Sequence, residues 1–372
     1  MVAGEASGDL LAGAVLQGLR ERDPRMRAAG IGGPAMAAQG FDAWWTIDAL
    51  SVRGYAEVLR EYPRLRRMRD ELGERLTRWH PDVFVGVDAP DFNLELERRL
   101  RGSGLRVAHF ISPSIWAWRP GRIHKMARAA SHVLLVFPFE EAIYQQAGIP
   151  ATYVGHPLAH ALPLPDRKAA RERLGLAEDA EYVALLPGSR PSELQALGRL
   201  YVEAAKRIAL ARPQARFLMP LATRETRQAF ERILFEADAQ DLPLRSLFGH
   251  AHDAMQAADA ALIASGTATL EALLLDCPHV ISYRVPWLTW QIMKRQALLP
   301  WIGLPNILAN RTVVPEILQD HATPDALAQA VLALLEDKEA RAAQIAEFRI
   351  QRARLRRDTP RLIADAIRPF LE

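Results

Sequence analysis

Residues 182–200 read YVALLPGSRPSELQALGRL. The apolar run from Tyr182 shows no polar alternation, so it reads as a strand buried on both faces, as in a helix-covered parallel sheet. Pro187, Gly188, Ser189 and Arg190 then form a turn, and a helical pattern follows. The same succession recurs along the chain. RFLMPLA from Arg216, AALIASG from Ala260 and HVISYRV from His279 repeat it in the second half. VFVGVD from Val83, RVAHFIS from Arg106, HVLLVFPF from His132 and ATYVG from Ala151 repeat it in the first. Strands alternating with helices predict an α/β architecture with parallel sheets. Here it occurs twice, as two doubly wound, Rossmann-like domains.

A length of 372 residues suits two such domains. Between them, GHPLAHALPLPDRKAARERLGL from Gly155 is proline-rich and then starts a helix near Asp166, which puts the boundary between Leu158 and Asp166. The domains are expected at 1–160 and 161–345, with a helical segment at 346–372 returning to pack on the first. Such folds bind ligands outside the carboxyl ends of their strands, so chemistry is expected in a cleft faced by both sheets.

Composition narrows the classes. With 49% apolar and 24% charged residues, the chain is neither disordered nor low-complexity. The single Cys277 excludes a disulfide framework and a cysteine-rich zinc site, which fits a reducing cytoplasm. A net charge of +3 does not call for a nucleic-acid partner. The best candidate for a membrane span, from Ala257, contains Asp259 and Glu271, and charges at bilayer depth are costly, so no transmembrane helix is expected.

The chain opens MVAGEASGDLLAG, a Gly-rich turn entering a helix with only Met1, Val2 and Ala3 ahead of Gly4. The first strand of a doubly wound sheet is central, and its loss would leave neighbouring strands unpaired. The expectation is that the true start lies upstream of Met1.

Four further stretches carry candidate chemistry. Gly188, Ser189 and Arg190 combine backbone N–H groups, a helix N-terminus and a guanidinium, which suits phosphate; the plain alternative is an ordinary strand-to-helix turn. Ser265, Gly266 and Thr267 form a second such turn, and Glu271, one helical turn on, can accept hydrogen bonds from ribose hydroxyls or simply face solvent. VFVGVDAPDFN delivers Asp88, Asp91 and Asn93 to a strand end. Asp88 is the better general base and Asp91 the other candidate, while Asp91 or Asn93 is expected to cap the following helix. ISPSIWAWRPGRIHKM groups Trp116, Trp118, Arg119, Arg122, His124 and Lys125, either a clamp for a phosphorylated or carbohydrate ligand or core tryptophans beside solvated cations.

Two stretches have surface character. Val52, Tyr55, Val58, Leu59, Tyr62, Leu65 and Met68 recur at helical spacing among arginines, and WLTWQIMKRQALLPWIGLPN follows Pro286. An apolar stripe rimmed by cations fits anionic lipid; it also fits a core-facing helix with a basic outer side.

In this order and at these separations, VAGEASGD, VGVDAPDFN, SPSIWAWRPGRI, LLPGSRPSE, SGTATLEALL and GLPNILANR resemble the lipid-A-disaccharide synthase family, inverting glycosyltransferases of two Rossmann-like domains (GT-B type). The resemblance implies transfer of 2,3-diacylglucosamine from its UDP derivative to 2,3-diacylglucosamine 1-phosphate, with no cofactor and no metal. Asp88 is then the base, Gly188, Ser189 and Arg190 meet the diphosphate, Glu271 meets the ribose, and Ser265, Gly266 and Thr267 bind the donor. Asn306 orients a substrate, while Glu5, Ser7, Gly8 and Asp9, with Asp91 and Asn93, line the acceptor side. Acylated substrates imply work at the cytoplasmic face of an anionic inner membrane, with 1–160 expected to bind the acceptor and associate with the membrane and 161–345 to bind the UDP-sugar donor, and the resemblance leaves room for a homodimer. The rival readings are a UDP-N-acetylglucosamine 2-epimerase and a non-catalytic nucleotide-sugar binding protein.

Overall fold

The computed structural model describes residues 1–50 and 55–371. It divides into two compact units, Met1–Ala161 with Arg354–Glu372, and Leu162–Ala353.

The first unit is built on seven parallel strands: β1 (Val2–Ala3), β2 (Ala29–Gly32), β3 (Asp42–Thr46), β4 (Phe84–Val87), β5 (Val107–Phe110), β6 (His132–Leu135) and β7 (Ala151–Tyr153). They lie in the order β3-β2-β1-β4-β5-β6-β7. The strand that seemed to be missing ahead of Gly4 is therefore present: β1 has two residues and is central. Val2 pairs with Ile31 on one side and Gly86 on the other, and Ala3 pairs with Val87. The Met1 carbonyl accepts from the Ile31 N–H at 3.1 Å, which extends the ladder. Both residues are fully buried and both flanks of the strand are paired.

The second unit holds six parallel strands, β8 (Tyr182–Leu186), β9 (Arg216–Leu221), β10 (Leu244–Phe248), β11 (Ala260–Ala264), β12 (His279–Tyr283) and β13 (Glu316–Leu318), in the order β10-β9-β8-β11-β12-β13. All five residues of β8 are buried, as are all five of β11, because helices cover both faces. Val183, Leu185, Phe217 and Leu262 pack with Leu194, Tyr201 and Val331 from flanking helices.

Local chemistry sets the helix boundaries. Pro90 and Pro191 stand in the first turns of the helices after β4 and β8, where a missing N–H costs nothing. Asp166 caps the helix Arg167–Leu174 by accepting from the Ala169 N–H at 2.9 Å, and left-handed Gly175 ends it. The chain returns to the first unit at Arg354, near the end of the helix Lys338–Leu355. The last helix, Thr359–Ile367, buries Ile363, Ala364 and Ile367, and its Asp365 pairs with Arg22 on the first helix.

The basic stripe resolves differently along its length. The helix Tyr55–Trp79 runs through Pro63, but Met68, Leu72 and Leu76 are buried against Phe84, Leu96 and Val107, with Leu65 packed beside them. From Leu65 onward the stripe is core. Tyr62 is exposed, while Val52 and the side chains of Tyr55, Val58 and Leu59 lie outside the described residues. Among the described residues, no helix is long and apolar enough to cross a membrane.

Candidate active site

In both sheets the strand order reverses beside the first strand: between β1 and β4 in the first unit, and between β8 and β11 in the second. Loops leaving the carboxyl ends at such a point diverge to opposite faces and open a crevice for ligand. Glu5, Ser7, Asp88 and Asp91 follow β1 and β4, while Gly188, Ser189, Arg190, Ser265, Gly266 and Thr267 follow β8 and β11.

In the first unit, Asp88 and Ala89 both adopt positive φ, 50° and 44°, at the end of β4. A left-handed pair that is not glycine is strained, and such strain is held only where the surroundings enforce it. Here the Asp88 N–H donates to the Phe110 carbonyl at 2.9 Å, and Asn93 Nδ2 donates to the Asp88 carbonyl at 2.8 Å. Gly4 belongs to the same arrangement: a Cβ there would lie 2.7 Å from the Ala89 side chain. Its lack of a side chain lets the turns after β1 and β4 touch. Gly8, by contrast, has ordinary room around it.

Beneath Asp88 lies a buried pair that sequence reasoning missed. His109 on β5 and Glu97 on the helix Pro90–Gly102 are both fully buried, with Nδ1 and Oε1 2.7 Å apart. Gly86 makes room for them, since a Cβ there would fall 1.9 Å from Glu97 Oε1. Burial opposes an imidazolium at His109, but the Glu97 charge and hydrogen bond, followed by Asp88, hold its pKa above the ordinary histidine value. Burial pushes the Asp88 carboxyl up; His109 works against that rise and Glu5 adds to it. His109 Nε2, Glu97 Oε2 and Asn93 Oδ1 are buried without a hydrogen-bond partner in the structure. The only hint in the sequence was a polar residue in each of two otherwise apolar runs, VAHF and the buried face of NLELE.

The other acceptor-side candidates separate by role. Asp9 is buried, and its carboxylate accepts from the N–H groups of Gly33, Ala35 and Met36 at 2.8, 2.8 and 3.2 Å, capping the helix Pro34–Ala38. Glu5 and Ser7 are exposed. Neither Asp91 nor Asn93 caps the helix after β4: the N-cap is Ala89, and no side chain serves it. Left-handed Asp88 and Ala89 bring Asp91 into the helix's first turn, where it is exposed and pairs with Arg122 at 2.7 Å. Trp116 and Trp118 also part company. Trp116 donates to buried Glu140 at 3.1 Å and packs edge-on against Phe137 and Phe139, whereas Trp118 is exposed. Burial raises the Glu140 carboxyl to about 7.

In the second unit, the turn after β8 already carries an anion of its own. Glu193 Oε2 accepts from the Ser189 N–H at 3.0 Å and the Arg190 N–H at 3.2 Å. Gly188 sits at φ +123°, and a Cβ there would meet that same carboxylate at 2.4 Å. The Arg190 side chain is exposed and has no ion pair among the described residues. After β11, exposed Gly266 is the N-cap of the helix Thr267–Leu274, with no side-chain cap. Glu271, on that helix, is held by His252 Nε2 at 3.2 Å, and the hydrogen bond to Glu271 raises the His252 pKa. Asn306 is fully buried. Its amide donates to the Val314 carbonyl and Glu316 Oε1 and accepts from the N–H groups of Val313 and Val314, leaving no donor or acceptor for a ligand. Glu316 also accepts from the Ile302 and Gly303 N–H groups, and the Ile302 carbonyl accepts from Ser265 Oγ. Asn306 thus supports the turn after β11 indirectly.

A family model described as "Lipid-A-disaccharide synthetase" matches residues 1–366. The chain belongs to the lipid-A-disaccharide synthase family. The lipid-A-disaccharide synthase of Aromatoleum aromaticum is 55% identical over 372 residues, covering 100% of this chain and 95% of the relative. That of Methylobacillus flagellatus is 51% identical over 373 residues, covering 100% and 99%. As a lipid-A-disaccharide synthase, the chain is a glycosyltransferase. Among solved structures it resembles Acinetobacter baumannii MurG, with TM-score 0.60 and 16% identity over 99% of this chain and 98% of that one. It also resembles a UDP-GlcNAc 2-epimerase from Neisseria meningitidis bound to UDP-GlcNAc, with TM-score 0.60 and 11% identity over 98% and 96%. At these identities the likeness is one of fold, two parallel α/β units of GT-B type. The epimerase reading is therefore not favoured.

Proposed function

We propose that Asp88 is the general base of a transfer that moves 2,3-diacylglucosamine from its UDP derivative to the 6-hydroxyl of 2,3-diacylglucosamine 1-phosphate, with inversion. The carboxylate takes the hydroxyl proton as the oxygen attacks the anomeric carbon, and UDP departs. The observation that carries this reading is the placing of Asp88 at one reversal of strand order and of the two phosphate-type turns at the other.

A base must be ionised to accept a proton. Burial works against that at Asp88, and His109, held by Glu97, works for it. Positive φ at Asp88 and Ala89 fixes the direction of the carboxylate before substrate arrives, so orientation is settled during folding. On the donor side, charge grows on the diphosphate as the bond breaks. The Arg190 guanidinium and the uncapped N–H groups at Gly266 and Thr267 stabilise it, while Glu193 holds the backbone of the other turn in shape. Glu271, oriented by His252, accepts from ribose hydroxyls.

Acylated substrates are met at a lipid surface, for which the helix Trp287–Gln296 is suited. Trp287 is 69% exposed, and Ile292, Met293 and Leu298 are exposed beside Lys294 and Arg295. Apolar anchors with adjacent cations match an anionic leaflet, here the cytoplasmic face of the inner membrane. Replacing Trp287, Ile292 and Met293 with serine is expected to weaken sedimentation with anionic vesicles while turnover in detergent stays within a few-fold.

The deciding assay mixes the full chain, in detergent, with both acylated substrates and follows UDP and disaccharide. A β-linked product from an α-linked donor is expected. Turnover of the UDP-sugar without acceptor, or tight UDP binding with no product, would overturn the reading in favour of an epimerase or a binding protein.

A further inference from the structure

The cations after β5 remain unused by this mechanism. Arg119 and Arg122 place their guanidinium carbons 4.3 and 5.5 Å from the centre of the same Trp118 ring, which is 40% exposed. Arg119 is held at φ +51°, and its carbonyl accepts from the Arg122 N–H at 3.0 Å, so one turn gathers both cations. The Arg122 side chain is only 13% exposed and pairs with Asp91, itself 88% exposed. Arg119 has no carboxylate partner among the described residues, and exposed His124 and Lys125 follow.

Two guanidiniums over one ring repel each other, and a single exposed carboxylate offsets only one of them. Arg119 is therefore the cation available to a bound anion. A planar fork beside a partly exposed indole suits a phosphate monoester, whose oxygens accept paired N–H bonds while a sugar ring packs against the exposed part of the aromatic. The cluster stands at the carboxyl end of β5, next to β4. Through Arg122 and Asp91 it is tied to the first turn of the helix that begins just after Asp88.

We propose that Trp118, Arg119 and Arg122 form the subsite for the acceptor's phosphate monoester. The cluster thereby selects a phosphorylated over an unphosphorylated acceptor and holds the sugar with its far hydroxyl toward Asp88. This rests on the transferase reading above, so the test separates the two.

The full chain is assayed with diacylglucosamine 1-phosphate and with the same lipid bearing a free 1-hydroxyl. For Arg119→Ala, the KM for the phosphorylated acceptor is expected to rise about 10- to 100-fold, the loss typical of a charged hydrogen bond, with kcat within a few-fold. Its preference for the phosphorylated acceptor is expected to collapse. Arg128→Ala, at an exposed cation on the helix Arg122–Ala129 that follows the turn, is expected to keep that preference. An unchanged preference in Arg119→Ala would overturn the proposal. So would weakened binding to anionic phospholipid vesicles with an unchanged acceptor KM, which would reassign the cluster to lipid headgroups. If the wild type makes no disaccharide from either acceptor, the transferase reading fails separately. Calorimetry with soluble glucosamine 1-phosphate against glucosamine then decides the subsite: a preference lost in Arg119→Ala upholds it, and no preference in the wild type ends it.

Discussion

The two reversals of strand order share a topology and differ in what the chain places beneath them. Between β1 and β4, a buried imidazole–carboxylate pair lies under a strained, half-buried Asp88. Between β8 and β11 the ends are exposed turns, one closed by Glu193 and the other braced from behind by Ser265, Glu316 and Asn306. One crevice adjusts the charge of a single group. The other holds backbone N–H groups and a guanidinium open to an anion. The fold provides two equivalent positions, and on the proposed reading the residues just past each strand assign proton transfer to one and the leaving group to the other.

Substitutions can break this contrast. Asp88→Asn keeps size and removes the base; a loss in kcat of at least about 10²-fold is expected, with UDP affinity by calorimetry within a few-fold. Equal loss of UDP binding would mean that the first crevice is not confined to the acceptor.

Next in size is Glu271→Ala, for which UDP affinity is expected to fall roughly 10-fold through lost hydrogen bonds to a charged acceptor, with the pH profile unmoved. A change confined to kcat would contradict a ribose contact.

The double replacement His109→Gln with Glu97→Gln neutralises the buried pair at near-constant volume. Loss of His109 leaves only the Ala89 backbone hydrogen bond to offset burial at Asp88, so the acid limb of the kcat/KM profile is expected to move to higher pH. Activity then falls more on the acid side than on the alkaline side. An unshifted limb would reduce the pair to a packing role.

The smallest effect is expected of Glu193→Ala. Loss of the carboxylate that serves the Ser189 and Arg190 N–H groups costs about 1 kcal/mol of stability, read from denaturant unfolding of the second unit. UDP affinity is expected to hold or tighten, because two donors become available to the diphosphate. Markedly weaker UDP binding would instead make Glu193 part of the binding site.

The most legible strands were the wholly buried ones. β8 and β11 are continuous apolar runs because helices cover both their faces. β2 reads AGIG, β3 is half-exposed DAWWT at a sheet edge, β10 is an edge strand with exposed Arg245 and Ser246, and β13 has three residues. None leaves a long apolar signature, since edges need not be apolar and short strands draw their stability from neighbours. The same logic separates the two candidate lipid stripes. Heptad-like spacing on the helix Tyr55–Trp79 cannot say which way its apolar side faces, and from Leu65 onward it faces the sheet. The helix Trp287–Gln296, less regular in sequence, carries the exposed apolar residues.

The sequence alone determined the architecture, the strand-end turns and Asp88 as a candidate base, because buried parallel strands and Gly-rich turns are written in consecutive residues. The opening VAGEASG holds strand residues; only the sheet could show it, since the pairing of Val2 and Ala3 comes from residues some 30 and 85 positions away. Tertiary structure decided the rest: that Asp9 and Asn306 spend their hydrogen bonds on the backbone, that Asp91 belongs to Arg122, and that His109 and Glu97 meet under Asp88. Each of these depends on which distant groups share a buried space, and no local pattern of residues records that.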